Sequence, residues 1–184
     1  MRIMHARMRY DRGVAEPEKQ PNSANPKLDV FHSYIAAIEG SLGARLFRRE
    51  FYIIDGECVD VLQDGDLSCA TFVTSVLYLF NLITRRHTTV NGTVDDLMAS
   101  GWYEIQKPKQ GAIILWGFKK KDDGTQGKHR HVGFYIDTET AISNSSEARV
   151  PVRHHPTYGA FPGGEPQRDV LAYYWHPKLD INPG

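Results

Sequence analysis

Charge of one sign is what this sequence lacks. Its 184 residues hold 22 Lys and Arg against 22 Asp and Glu, so the formal net charge is zero. That balance excludes a global footprint for nucleic acid or an anionic membrane surface, and leaves only short basic stretches at Lys119–Lys121 and Lys128–Arg130. Cysteine is scarce, with Cys58 and Cys69 alone, too few for a disulfide framework. No Cys-x-x-Cys or His-Glu-x-x-His pattern is present, which removes the usual zinc signatures. No apolar run approaches membrane-spanning length. The charged start Met1–Met8 has no apolar stretch behind it, so it does not read as a secretory signal. The expected localisation is open: cytoplasmic as the chain stands, or reached by an export route the sequence does not show. There is no internal repeat and no low-complexity block.

What is present is the composition of an ordinary globular protein, 41% hydrophobic and 24% charged, long enough for one domain with a real core. Residues 1–26 are polar and aperiodic and read as a flexible N-terminal arm, leaving 27–184 as a single domain. From Leu28 to about Leu46, apolar residues recur at helical spacing. Phe51–Ile54 is a short extended segment, and Asp55-Gly56 and Asp64-Gly65 are turn signals. Cys69–Leu82 is apolar on nearly all sides and predicts a buried central helix. Thr93 with Asp96 predicts a capping box opening a third helix, which Gly101 stops. The second half turns strand-like at 102–105, 112–116, 131–136, 140–143, 148–152 and 170–175. Helices first and an antiparallel sheet afterwards make an α+β fold.

One pair of segments carries chemistry. In Asp66-Leu67-Ser68-Cys69-Ala70-Thr71-Phe72-Val73 a polar turn ends and a helix begins at the thiol. Unpaired N–H groups and the helix dipole at that position favour a thiolate. Some sixty residues on, His131-Val132-Gly133-Phe134-Tyr135-Ile136 is a strand that starts with a histidine. A helix-start cysteine and a strand-start histidine are a nucleophile and its base. A hairpin through Asp137–Glu139 would return the next strand beside His131, with Asn144, or failing that Ser143, behind the imidazole. A loop histidine is the remaining alternative for that place. A Cys58–Cys69 disulfide would remove the thiolate, so Cys58 reads as a buried or half-buried spectator.

These segments resemble the NlpC-type cell-wall peptidases. Asp66–Val73 is similar to their Asp-Cys-Ser-x-Phe-Val nucleophile segment, Lys107-Pro108-Lys109-Gln110-Gly111-Ala112-Ile113-Ile114-Leu115-Trp116 to their Pro-Gly-Asp-Leu-Val-Phe-Phe strand, and His131–Ile136 to their His-Val-Gly-Ile-Tyr-Ile base strand. The three occur in family order across about residues 51–146. The resemblance implies a papain-like α+β fold with the nucleophile helix packed on a small antiparallel sheet. It implies hydrolysis of peptide or amide bonds, usually in peptidoglycan stems, through a thioester. Cys69 and His131 match directly, and Asn144 matches approximately. Tyr52 lies roughly where the family has an active-site tyrosine. Ser68 stands where the family usually has Asp, Gln110-Gly111-Ala112 replaces Pro-Gly-Asp, and 147–175 extends beyond the motif.

The expected site is therefore Cys69 as nucleophile, His131 as base and Asn144 as orienter, with Ser68 and Tyr52 as further oxyanion or substrate candidates and the Cys69 backbone N–H as oxyanion donor. No cofactor is called for. The loose spacing of His129, His131, His154 and His155 does not amount to a metal site, and His154-His155-Pro156 reads as a loop near the cleft. Lys119–Lys121 reads as a solvated loop tip. The expected partner is a peptide or peptidoglycan-like substrate, without nucleic acid or a membrane span, and with the oligomeric state open. An acyltransferase or deamidase on the same fold and a non-catalytic binding module are the rival functions.

Overall fold

The computed structural model describes residues 26–121 and 123–180. The expected N-terminal arm lies, apart from residue 26, outside them. Helix α1 spans Val30–Gly40, opened by the Asp29 carboxylate, which accepts from the His32 backbone N–H. It stops short of the predicted Leu46 because Gly40, Ser41 and Gly43 lead into a turn, with Gly43 at φ +71°. Leu46 is left on the surface.

Strand β1, Phe51–Ile54, turns through Asp55-Gly56 into β2, Glu57–Asp60. Both turn residues have positive φ, 52° and 85°, as a tight two-residue hairpin requires. This hairpin stands apart from the main sheet and exposes Phe51, Tyr52, Ile53, Ile54 and Val59. Cys58 is exposed on it, not buried as expected, and both cysteines are free.

Helix α2, Cys69–Leu79, is the buried central helix; Asn81, at φ +53°, breaks it three residues before the predicted Leu82. Helix α3, Val90–Ala99, begins one turn earlier than predicted. Its cap is Thr89, whose hydroxyl accepts from the Gly92 N–H, while Thr93 donates back to the Thr89 carbonyl. Asp96 serves a different purpose from the predicted capping box. Its buried carboxylate accepts five hydrogen bonds, from Thr84 N–H and Oγ1, Arg85 N–H, His87 Nε2 and Ser100 Oγ, and so ties the turn after α2 to α3.

Six strands follow: β3 Tyr103–Ile105, β4 Ile113–Trp116, β5 His131–Tyr135, β6 Ala141–Asn144, β7 Pro151–His154 and β8 Val170–Trp175. They form one fully antiparallel sheet in the order β3-β8-β4-β5-β6-β7. The fold is α+β, as the order of periodicities predicts. Strand β7 lies three residues later than predicted, because residues 145–150 close a turn with Arg149 at φ +61°. Helix α2 packs against β5 and β6, with α1 and α3 beside it. The core between them is aromatic: Phe72 meets Phe47 and Phe134, and Tyr34 meets Phe80 and Phe134. The buried Tyr34 hydroxyl donates to the Gly111 carbonyl at 2.8 Å, which docks α1 on the turn before β4. Among the described residues no helix is long and apolar enough to cross a membrane.

Candidate active site

Cys69 is the first residue of α2, where backbone N–H groups have no intrahelical partner. Ser68 precedes it as the cap residue. Its carbonyl accepts from Phe72 N–H at 2.9 Å, but its fully buried hydroxyl has no hydrogen-bond partner. Two bracing interactions hold the turn that presents the thiol. Asp64, at φ +53°, accepts from Arg48, Arg49 and Arg149, which bring its carboxyl down to about 2. The Asn144 side chain donates to the Gly65 carbonyl at 2.7 Å.

Helix α2, which Cys69 opens, packs against β5 and β6, and the Val132 and Ala70 backbone N–H groups act to lower the thiol pKa. His131 opens β5 and is the residue before Val132. Its Nε2 is 2.9 Å from Ser143 Oγ on β6. That bond uses one ring nitrogen; among the described residues Nδ1 makes no hydrogen bond, and none joins His131 to Cys69. Ser143, not Asn144, thus stands behind the imidazole. The pairing Phe134↔Ile142 and Tyr135↔Ala141, continued, sets Ser143 opposite Gly133 and Asn144 opposite Val132. Alternation then puts Ser143 on the His131 face and Asn144 on the other. The orienter expected at Asn144 is corrected by one residue, to the fallback position.

Ser143 is the centre of a larger cluster. Its hydroxyl is also 2.8 Å from His154 Nε2 at the end of β7 and 2.8 Å from the Tyr158 hydroxyl. The rings of His154 and Tyr158 stack with centroids 3.9 Å apart, and Trp116 of β4 contacts His131, His154 and Tyr158. Gly133 makes room for this: a Cβ there would lie 2.7 Å from Ser143 Cβ and 2.9 Å from Trp116. Tyr158 holds φ +61°, an unfavourable conformation for a bulky residue, secured by its N–H donating to the His155 carbonyl at 2.8 Å.

Arg168 closes the cluster. Its guanidinium lies over the Tyr158 ring and donates through Nη1 to the Gly117 carbonyl at 2.7 Å, while its buried Nε has no partner. Among the described residues it forms no ion pair. Lys120 braces the segment that carries it, through Glu165 and Asp169 at 2.8 Å each, so the lysine run is not merely solvated.

Burial dominates the electrostatics. It pushes the Cys69 thiol up, against the opposing pull of the Val132 and Ala70 N–H groups and the Arg168 charge. Burial drives His131 well below the usual imidazole range, and Arg168 and His154 add to the fall. The favoured resting pair is therefore a neutral thiol and a neutral imidazole. The thiolate expected from the helix start alone is outweighed by desolvation. A neutral imidazole is competent as a general base, and Nδ1 is its free nitrogen.

Tyr52 sits on the exposed hairpin opposite Val59, and among the described residues no hydrogen bond joins it to the cluster. His129 is exposed; its carbonyl lies 3.4 Å from Arg168 Nη1. Among the described residues no group of three or more His, Cys, Asp or Glu side chains is placed to hold a metal ion. Tyr158 and Arg168 escape the sequence reading because they come from an aperiodic loop, long after the histidine strand, and only the fold returns them to it. No known family model matches this chain, and no curated protein matches it.

Proposed function

We propose that the protein is a cysteine hydrolase of papain-like fold, related to the NlpC-type peptidases, that cleaves a peptide or amide bond in a peptidoglycan stem or related peptide. The observation that carries this reading is the hydrogen bond between His131 Nε2 and Ser143 Oγ. It holds a half-buried imidazole at the start of β5, with one nitrogen free, on the strand against which the Cys69 helix packs. The three family-like segments, in order, support it from the sequence side.

In this reading His131 Nδ1 takes the Cys69 proton as the sulfur attacks the substrate carbonyl carbon. The carbonyl oxygen becomes an oxyanion facing the Cys69 backbone N–H. Collapse breaks the C–N bond. The leaving amine takes the proton from His131, and a thioester remains on Cys69. Water then gives its proton to His131 and attacks the thioester. The acid product leaves, and the proton returns to the sulfur. Neutral resting partners suit this sequence, because no ion pair has to be desolvated before substrate arrives.

The test is digestion of purified peptidoglycan and of soluble stem peptides, with chromatographic and mass analysis of products. New amine and carboxylate termini from the wild type, absent with Cys69→Ala, support hydrolysis. Amine-capped products would make the protein a transferase, and free ammonia a deamidase. A Cys69→Ala variant as active as the wild type would overturn the assignment.

A further inference from the structure

We infer that His154 is a positioning residue that sets the tautomer of His131 through the Ser143 hydroxyl. This rests on the cysteine-hydrolase reading of the site and goes beyond it, because it names what makes the base a base. A serine hydroxyl has one proton to give and two lone pairs to fill. Ser143 Oγ has three neighbours within hydrogen-bond reach, His131 Nε2, His154 Nε2 and the Tyr158 hydroxyl. One of them must accept and the other two must donate.

The chain of assignments starts at a backbone carbonyl. His154 Nδ1 lies 2.8 Å from the His155 carbonyl oxygen, which can only accept, so Nδ1 carries a proton. Neutral His154 then has a bare Nε2, which accepts the Ser143 proton. The two lone pairs of Ser143 are left for donors, and these are the Tyr158 O–H and the His131 Nε2–H. His131 is thereby held with its proton on Nε2 and its lone pair on Nδ1, the form that can receive a proton from Cys69. No other arrangement satisfies all three neighbours while His154 is neutral.

Protonation of His154 breaks this solution. Its Nε2 would then donate to Ser143, and the serine proton would have to go to His131 or to Tyr158. The first moves the His131 proton to Nδ1 and removes the base. The second leaves the Tyr158 hydroxyl proton without its acceptor. The titratable and charged groups facing His154 are His131 from β5, Tyr158 and Arg168 from the loop before β8, the adjacent His155, and Cys69 from α2 beyond Tyr158. Burial, Arg168 and His155 all favour the neutral form of His154, and its bond to the His155 carbonyl opposes them.

The variants that test this are His154→Gln and His154→Ala in the full chain. A glutamine carbonyl oxygen can accept from Ser143 and cannot be protonated near neutrality; alanine offers nothing. Long-range proton–nitrogen correlation spectra of the labelled protein, in a Cys69→Ala background at about pH 7.5, read the tautomer directly. The expected result is Nε2–H on His131 in the background protein and with His154→Gln, and a mixture or Nδ1–H with His154→Ala. With Cys69 restored, alkylation of the thiol by iodoacetamide should fall about tenfold in His154→Ala and recover in His154→Gln, whose acid limb should lie at lower pH than the wild type's. An Nδ1–H tautomer in the background protein, or His154→Ala unchanged in both readouts, overturns the inference. Failure of the hydrolase reading itself would show separately, as turnover that survives Cys69→Ala, because the tautomer is measured without any substrate.

Discussion

Removing the Ser143 hydroxyl strips a partner from His131, His154 and Tyr158 at once. Ser143→Ala leaves the His131 Nε2–H without an acceptor in a half-buried site, a loss of about 1–3 kcal/mol for the tautomer that keeps Nδ1 bare. At about 1.4 kcal/mol per factor of ten, the reactivity of Cys69 should fall roughly 10- to 100-fold. The assay needs no substrate: iodoacetamide at neutral pH, with peptide mapping by mass spectrometry. Exposed Cys58 reports on reagent and handling in the same sample. Asn144→Ala is the matched control. It loses the bond to the Gly65 carbonyl, one brace of the turn before Cys69, so it should cost stability, about 1–3 kcal/mol, and slow Cys69 in the folded fraction much less than Ser143→Ala does. Ser143→Ala at the wild-type rate, or Asn144→Ala slower than Ser143→Ala, would refute the placement of the orienter.

Asp96→Ala removes the acceptor of five hydrogen bonds, including one from His87, and should destabilise the fold by about 3–5 kcal/mol in a denaturant titration; a change below about 1 kcal/mol would contradict the ties described. The Asp96 carboxyl is held far below the usual carboxylate range, against its own burial, by His87, Thr84 and Ser100. Its stabilisation is therefore complete above the unfolded value of about 3.9 and is lost as pH falls below it, which the variant should no longer show. His131 and His154 are depressed by burial, so each contributes stability above about pH 6.5 that is lost as pH falls below it; the melting temperature should drop over that window, and less steeply in His131→Gln. Gly133→Ala pushes a methyl group into the Ile142 carbonyl, Ser143 and Trp116, so it should cost about 1–3 kcal/mol in thermal or chemical unfolding and slow Cys69 alkylation; a neutral result would mean the cluster has slack.

Periodicity made the scaffold legible. The switch from helical to alternating spacing predicts the α+β order, and the abrupt start of the apolar run at Cys69 locates the helix end that presents the thiol. Helix ends were harder, because the φ of Asn81 and the cap at Thr89 depend on local turn geometry that competing polar residues obscure. The choice between Ser143 and Asn144 turned on hairpin register, where one residue moves a side chain to the opposite face. Tyr158 and Arg168 were out of reach for a different reason: their loop has no period, and only the closed sheet carries them to His131. Desolvation of the thiol was equally hidden. A helix N-terminus can be read from a sequence, but the depth at which α2 sits on β5 and β6 cannot.

The central claim is that a carbonyl carbon becomes bonded to the Cys69 sulfur. It is tested most directly by acid-quenching the protein during turnover of stem peptides and measuring its intact mass and peptide map. The expected result is an acyl adduct on the peptide containing Cys69, absent in Cys69→Ala and discharged on return to neutral buffer. Turnover with no adduct at any quench time, and undiminished in Cys69→Ala, would contradict it.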